Sequence, residues 1–262
     1  MSQPTLNGKP QTGGGSGGGS SNDLFRKSYN RPEHRRWSPE IAMSGESLTT
    51  NLAKNQITIS ATTASGNLAT ANDATAGRDV FALGTSTAET FLQPSRENHM
   101  HTSTYGPWGL AFWYKAASNP GTGHWISRHY VNRAWAANAS AVVVATSGLL
   151  TYQRNGSPVQ SLSTTDIAGG SWHSCVLCCD GLQIKAYIDG SLENTVTIAA
   201  TTKQANHTFD FLRADFTNAV AYYVSNLMYA LCEFTDDFAT AFDTAGVAGN
   251  LQSIDTVATI PS

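Results

Sequence analysis

Charge is scarce in this sequence. Only 13% of its 262 residues are Asp, Glu, Lys or Arg, about half the usual share. Thr, Ser, Asn and Gly must therefore solvate the surface with hydroxyls and amides. That suits β-rich extracellular or virion proteins better than cytosolic enzymes. Glutamate is scarcer still, with seven in the chain and none in a Glu-x-Asp-x-x-Glu arrangement. Polysaccharide cleavage by paired carboxylates lacks its residues. Neither a Gly-x-Ser-x-Gly elbow nor a phosphate loop occurs, so no enzyme is expected. No run of eighteen apolar residues exists to cross a membrane. The first twenty-one residues lack the apolar stretch of a signal peptide, and on that reading the Asn-x-Ser/Thr matches at Asn138, Asn155 and Asn206 are chance.

Cysteine is also rare, yet three of the four fall in SWHSCVLCCDGLQIKAYIDG, residues 171–190. Alternation puts Cys175 and Leu177 on one face of a strand and Val176 and Cys178 on the other, so adjacent Cys178 and Cys179 cannot join one compact metal site. A lone Cys-x-x-Cys without two further ligands is weak, and buried thiols acting as small hydrophobes are expected. Four reduced cysteines suit assembly in a cytoplasm. His99 and His101 share a face if extended but lack a third ligand. Asp73, Asp79 and Asp189 are conceivable calcium ligands without calcium-loop spacing. No metal and no cofactor are predicted. Asp180-Gly181 and Asp189-Gly190 each suit a type I′ turn, making the stretch a hairpin followed by a second tight turn.

The net charge of −3 hides an asymmetry: residues 1–40 carry six Lys/Arg against three acids, and the remainder ten against sixteen. Residues 11–21, QTGGGSGGGSS, are a low-complexity linker without structure of its own. After it, Phe25, Tyr29 and Trp37 alternate with Arg26, Lys27, Arg31, Arg35 and Arg36. The bland reading is a solvated basic tail; the sharper one is a docking peptide with aromatic anchors and Arg contacts. Nucleic acid is not favoured, because five cations without a recognised motif are a weak signal.

Beyond residue 45 the pattern is β throughout. Ile57, Ile59 and Ala61 alternate, as do Leu110, Phe112 and Tyr114 against Trp113. SAVVVATSGLLTYQRNG reads as two strands about Ser147-Gly148, and HTFDFLRADF and AVAYYVSNLMYALCEF as further strands. Only residues 235–246 read as a helix, capped by Thr235 or Asp236. Short strands with Gly/Asn/Asp turns predict an all-β antiparallel sandwich. The expected layout is an arm at 1–45, the sandwich at 46–245 and a tail at 246–262. Between strands, Arg128, Tyr130, Arg133 and Trp135 mix stacking planes with hydrogen-bonding groups, as glycan or partner contacts do. The alternative is that Trp135 starts the next strand and is core.

Several motifs in order resemble the laminin-G-like, concanavalin A-like lectin/glucanase family. They are Gly170-Ser-Trp-His173, Lys185-Ala-Tyr-Ile-Asp-Gly190, Glu89-Thr-Phe-Leu-Gln-Pro94, Trp108-Gly-Leu-Ala-Phe-Trp-Tyr-Lys115, Trp125-Ile-Ser-Arg128 and Val224-Ser-Asn-Leu-Met-Tyr-Ala230. The resemblance spans roughly residues 50 to 245 and implies a two-sheet jelly roll. With the basic arm, low charge and unpaired thiols, the expectation is a structural virion protein of a bacteriophage. Capsid decoration or head-fibre type is favoured, assembled in the host cytoplasm and held to capsid or tail proteins through residues 1–40. The alternative is a tail or adsorption component, or a free carbohydrate-binding module for host glycans. Self-association is left open.

Overall fold

The computed structural model describes residues 41–52, 57–63, 67–85, 89–95, 107–131, 139–155, 157–198, 207–214, 220–230 and 234–247. Its first strands are β1 (Ile41–Met43), β2 (Ile59–Thr63), β3 (Leu68–Asp73), β4 (Arg78–Leu83), β5 (Thr90–Pro94), β6 (Trp108–Ala116), β7 (His124–Val131) and β8 (Ser140–Val144). They are followed by β9 (Leu150–Arg154), β10 (Gln160–Ser161), β11 (His173–Cys179), β12 (Gln183–Ile188), β13 (Ser191–Thr197), β14 (His207–Ala214), β15 (Tyr222–Ala230) and helix α1 (Asp236–Ala245).

Among the described residues the strands form two antiparallel sheets. One runs β13-β12-β11-β6-β15-β4-β3, with β1 also on β15; the other runs β10-β9-β8-β7-β14-β5-β2. Alternation fills the space between them. Leu110, Phe112 and Tyr114 from β6 meet Phe209 and Phe211 from β14, Leu92 from β5 and Val142 and Val144 from β8 in one core. The intervening residues of β6, Ala111 and Trp113, point the other way and join Val176, Cys178 and Tyr187 under α1. The helix exists to cover that face. Phe238 and Phe242, four apart, lie on one side of it, and Phe242 stacks on Trp113 with ring centres 6.2 Å apart. Thr235 caps its start by accepting from Phe238 N at 3.2 Å, as the sequence suggests. Gly109 in β6 leaves room for Phe234, whose ring a Cβ would approach to 2.6 Å.

The thiols behave as predicted. Cys175 and Cys179 sit in the inter-sheet core and Cys178 beneath the helix, all buried and none in a disulfide. The second Asp-Gly turn is of type I′ form, with positive φ at both Asp189 (50°) and Gly190 (72°). The first departs from the expectation. Asp180 pairs with Gln183, so Gly181 (φ 101°) and Leu182 are the central residues and only the glycine needs a positive φ, as in a type II′ turn. The Asp180 carboxylate instead accepts from the backbone N–H groups of Leu182 and Gln183, both at 2.7 Å.

The boundary at residue 45 is corrected. Ile41, Ala42 and Met43 are buried and pair with Tyr229, Met228 and Leu227 of β15, so they belong to the larger sheet. Three apolar residues are too short a run to show a strand's alternation in the sequence. A kink in β15 makes room for them. Asn226 has φ 50°, and there β15 passes from pairing β4 to pairing β1. Arg78 fixes the kink by donating to Ser225 Oγ (2.7 Å), Ser44 O (3.2 Å) and Asn226 Oδ1.

Candidate functional site

On the outer face of the eight-stranded sheet, at the border of the patch covered by α1, aromatic and charged groups converge. Antiparallel register places Ala82, Tyr223 and Lys115 directly opposite one another on β4, β15 and β6, so their side chains share a face. Trp172, just before β11, completes the group. The Lys115 Nζ lies 5.7 Å from the Trp172 ring centre and 5.9 Å from that of Tyr223, within cation–π range of both.

Asp73, at the end of β3, holds this arrangement. Its Oδ2 accepts from Lys115 Nζ at 2.8 Å; its Oδ1 accepts from Trp172 Nε1 at 3.1 Å and from the backbone N–H groups of Thr75 and Ala76. Burial raises this carboxyl, but the bonds from Lys115, Ala76 and Trp172 outweigh it, and the group titrates below its usual range. Lys115, Trp172 and Tyr223 are only partly buried. The ammonium has three donors and one acceptor among the described residues, Asp73. The Tyr223 hydroxyl likewise has no protein partner among them. The result is a tryptophan plane pinned in orientation, a tyrosine beside it, and unused donors between.

The seven-stranded sheet carries a different cluster on its outer face. Asp210 stands opposite Arg128, and Arg213 opposite Trp125. A bulge at Leu212 (φ 51°) turns Asp210 and Arg213, three residues apart, to the same side. Arg213 donates to Asp210 at 3.0 Å, pairs with Glu89 and lies 5.5 Å from the Phe91 ring centre; Arg128 lies 5.3 Å from that of Trp125. Asp210 is 1% exposed, Arg128 7% and Arg213 8%. This is a buried electrostatic network, with little surface offered to a ligand.

Of the residues singled out by sequence, Arg128 therefore belongs to that network. The backbone of Tyr130 pairs with Thr208; its side chain, with Arg133, Trp135, His99, His101 and the arm residues Phe25, Arg26, Lys27, Tyr29, Arg31, Arg35, Arg36 and Trp37, lies outside the described residues. Asp79 accepts from Asn72, and Asp189 binds His173 Nδ1 and Ser174 N, so these aspartates and Asp73 occupy three separate places. Among the described residues no group of three His, Cys, Asp or Glu could hold a metal ion, and no helix is long and apolar enough to cross a membrane. Sequence reasoning missed Lys115. Its one signal was a lysine ending the apolar run WGLAFWY.

Two antiparallel sheets packed face to face, with one helix on an outer face, define an antiparallel β-sandwich of jelly-roll type. No protein-family model and no curated protein matches the sequence. Solved structures do share the fold. The binding domain of Paraclostridial Mosquitocidal Protein 1 aligns with TM-score 0.62 at 10% identity, covering 80% of this chain and 52% of that one. The binding domain of botulinum neurotoxin DC, solved with rat synaptotagmin II, aligns with TM-score 0.60 at 14% identity, covering 80% and 52%. A structure of botulinum neurotoxin type C, whose uptake by cells depends on two ganglioside molecules, gives TM-score 0.58 at 15% identity over 80% and 52%. The chain thus spans about half the length of the structures it matches.

Proposed function

We propose that this chain is a non-enzymatic recognition domain that binds glycans through Lys115, Trp172 and Tyr223. The observation that carries the reading is the Trp172 ring, fixed by its N–H on Asp73 and flanked by unused donors. A sugar presents a C–H face that packs on an aromatic plane and hydroxyls that need donors and acceptors at its rim. Pinning the plane beforehand removes part of the ordering cost of binding. The similar folds add support: one binding domain was solved in complex with rat synaptotagmin II, and cell entry of botulinum neurotoxin type C depends on two ganglioside molecules.

Tyr223→Ala removes a plane without entering the inter-sheet core. It should weaken glycan binding, measured by isothermal titration against array hits, by about tenfold, equivalent to about 1.4 kcal/mol, with the thermal melt nearly unchanged. A glycan array blank for the parent protein would sink the reading.

Display on a virion is the second reading. It rests on the basic and aromatic arm, which joins the fold at a buried strand rather than at a loose end. Deleting residues 1–40 should abolish incorporation into particles while leaving the sandwich folded by circular dichroism; normal incorporation refutes it.

A further inference from the structure

Resting on the glycan-binding reading, we infer that the Lys115 cluster selects uncharged sugars, and that Asp73 is the residue that sets this specificity. A lone ammonium between two aromatic rings would attract carboxylated or sulfated sugars. Here the ammonium already has a carboxylate at 2.8 Å, so the pair presents no net charge. The lysine side chain is 20% exposed and the aspartate 9%, so water screens the pair only in part. An acidic group brought to Lys115 would sit beside the Asp73 carboxylate and repel it. A hydroxyl meets no such cost. It can accept one of the two remaining N–H donors of Lys115, while the Tyr223 hydroxyl donates or accepts beside it. The Trp172 N–H is spent on Asp73, which leaves the indole to act as an apolar plane.

The other cations near this face do not alter the balance. Arg78 donates to Ser44, Ser225 and Asn226 and is opposed in charge by the Glu46 carboxylate, and Lys185 pairs with Asp236 at 3.4 Å beside α1. Among the described residues, the face around Lys115 therefore offers no second, uncompensated cation of the kind an acidic sugar would require.

The test compares neutral gluco-, galacto- and manno-oligosaccharides with the same oligosaccharides carrying a sialic acid or sulfate. The full chain is used, by isothermal titration at two salt concentrations. Neutral ligands should bind about tenfold or more tightly than their acidic counterparts, and raising the salt from about 50 to 500 mM should change their Kd less than twofold. Asp73→Asn keeps an oxygen for the turn and strips the compensating charge. It should reverse the order, so that acidic sugars gain and their binding becomes salt-sensitive. Lys115→Met, which keeps an unbranched stem over the rings, should lose the neutral ligands without acquiring acidic ones. Thermal melts of both variants establish that they are folded. A parent protein that prefers acidic sugars overturns the inference and leaves the glycan-binding reading standing; a parent that binds no sugar overturns both.

Discussion

Asp210→Ala should cost about 3 to 5 kcal/mol of folding free energy, among the largest effects of any single substitution in the chain. The carboxylate is 1% exposed, bonded to Arg213 at 3.0 Å and opposite Arg128 in the ladder. Its removal leaves the Arg213 guanidinium, in a residue 8% exposed, without its buried carboxylate, and Arg128 (7% exposed) stands opposite the vacated position in the ladder. Arg213 cannot recover full hydration without disturbing the sheet. Glu89 offers only partial compensation, because its side chain is 52% exposed and its pairing with Arg213 is weakened by water. Urea denaturation of the variant measures the loss. The same physics sets a control: Asp210→Leu combined with Arg213→Met should recover much of the deficit, since a buried ion pair is worth little more than a well-packed apolar one. A loss below about 1 kcal/mol for Asp210→Ala would show that water reaches the network and screens it.

Acid should destabilise the fold well above the pH at which carboxylates protonate. His124, at the start of β7, is fully buried, stacked on Tyr222 with ring centres 4.0 Å apart and joined through Nδ1 to the Tyr114 hydroxyl at 2.7 Å. Burial lowers its pKa from 6.5 to about 4, against a smaller opposing effect from the Val220 backbone. Between those values the unfolded chain binds a proton that the folded chain refuses. The stabilisation is thus complete above pH 6.5 and is lost as the pH falls toward 4, by about 3 kcal/mol in all. The carboxylates act lower. Glu193, which accepts four hydrogen bonds from Thr164 and Thr165, titrates at about 2, so its contribution fades only below the usual glutamate value of 4.5. Denaturation midpoints at pH 7.5, 6, 5 and 4.5 should show a slope in the parent that largely disappears in His124→Gln. An equal slope in that variant would assign the acid sensitivity to other groups.

Much of the architecture was legible because it is periodic. The alternation through β6 separated Leu110, Phe112 and Tyr114 from Trp113, and those residues do face the inter-sheet core and the helix respectively. The hairpin of β11 and β12 could be read from its Asp-Gly steps, and α1 from its cap and paired phenylalanines. What could not be read was assembled across distance. Asp73 meets Lys115 from 42 positions away and Trp172 from 99. No local pattern marks such a meeting; it follows from strand order, which the period of a strand does not encode. Bulges hid a second class of features. Simple alternation sends Asp210 and Arg213 to opposite faces, and the left-handed residue Leu212 reverses that result. The sequence places Ile41–Met43 in the arm because three apolar residues beside a Gly-containing stretch do not announce a strand. Their place depends on the kink at Asn226, 183 positions from Met43.

That short strand also decides where a mechanical load on the protein would arrive. Any pull on residues before Ile41 reaches the domain through β1. The strand is gripped on both edges: β15 pairs with it along one side, and on the other Ala42 N donates to Asn51 Oδ1 at 3.0 Å while Ala42 O accepts from Leu52 N at 2.8 Å. The tension is thus delivered through a three-residue strand to β15, which lies inside the larger sheet between β6 and β4. A tether attached here pulls on a short seam backed by the Ala42 bonds to Asn51 and Leu52, and the strength of that seam sets the load the arm can carry.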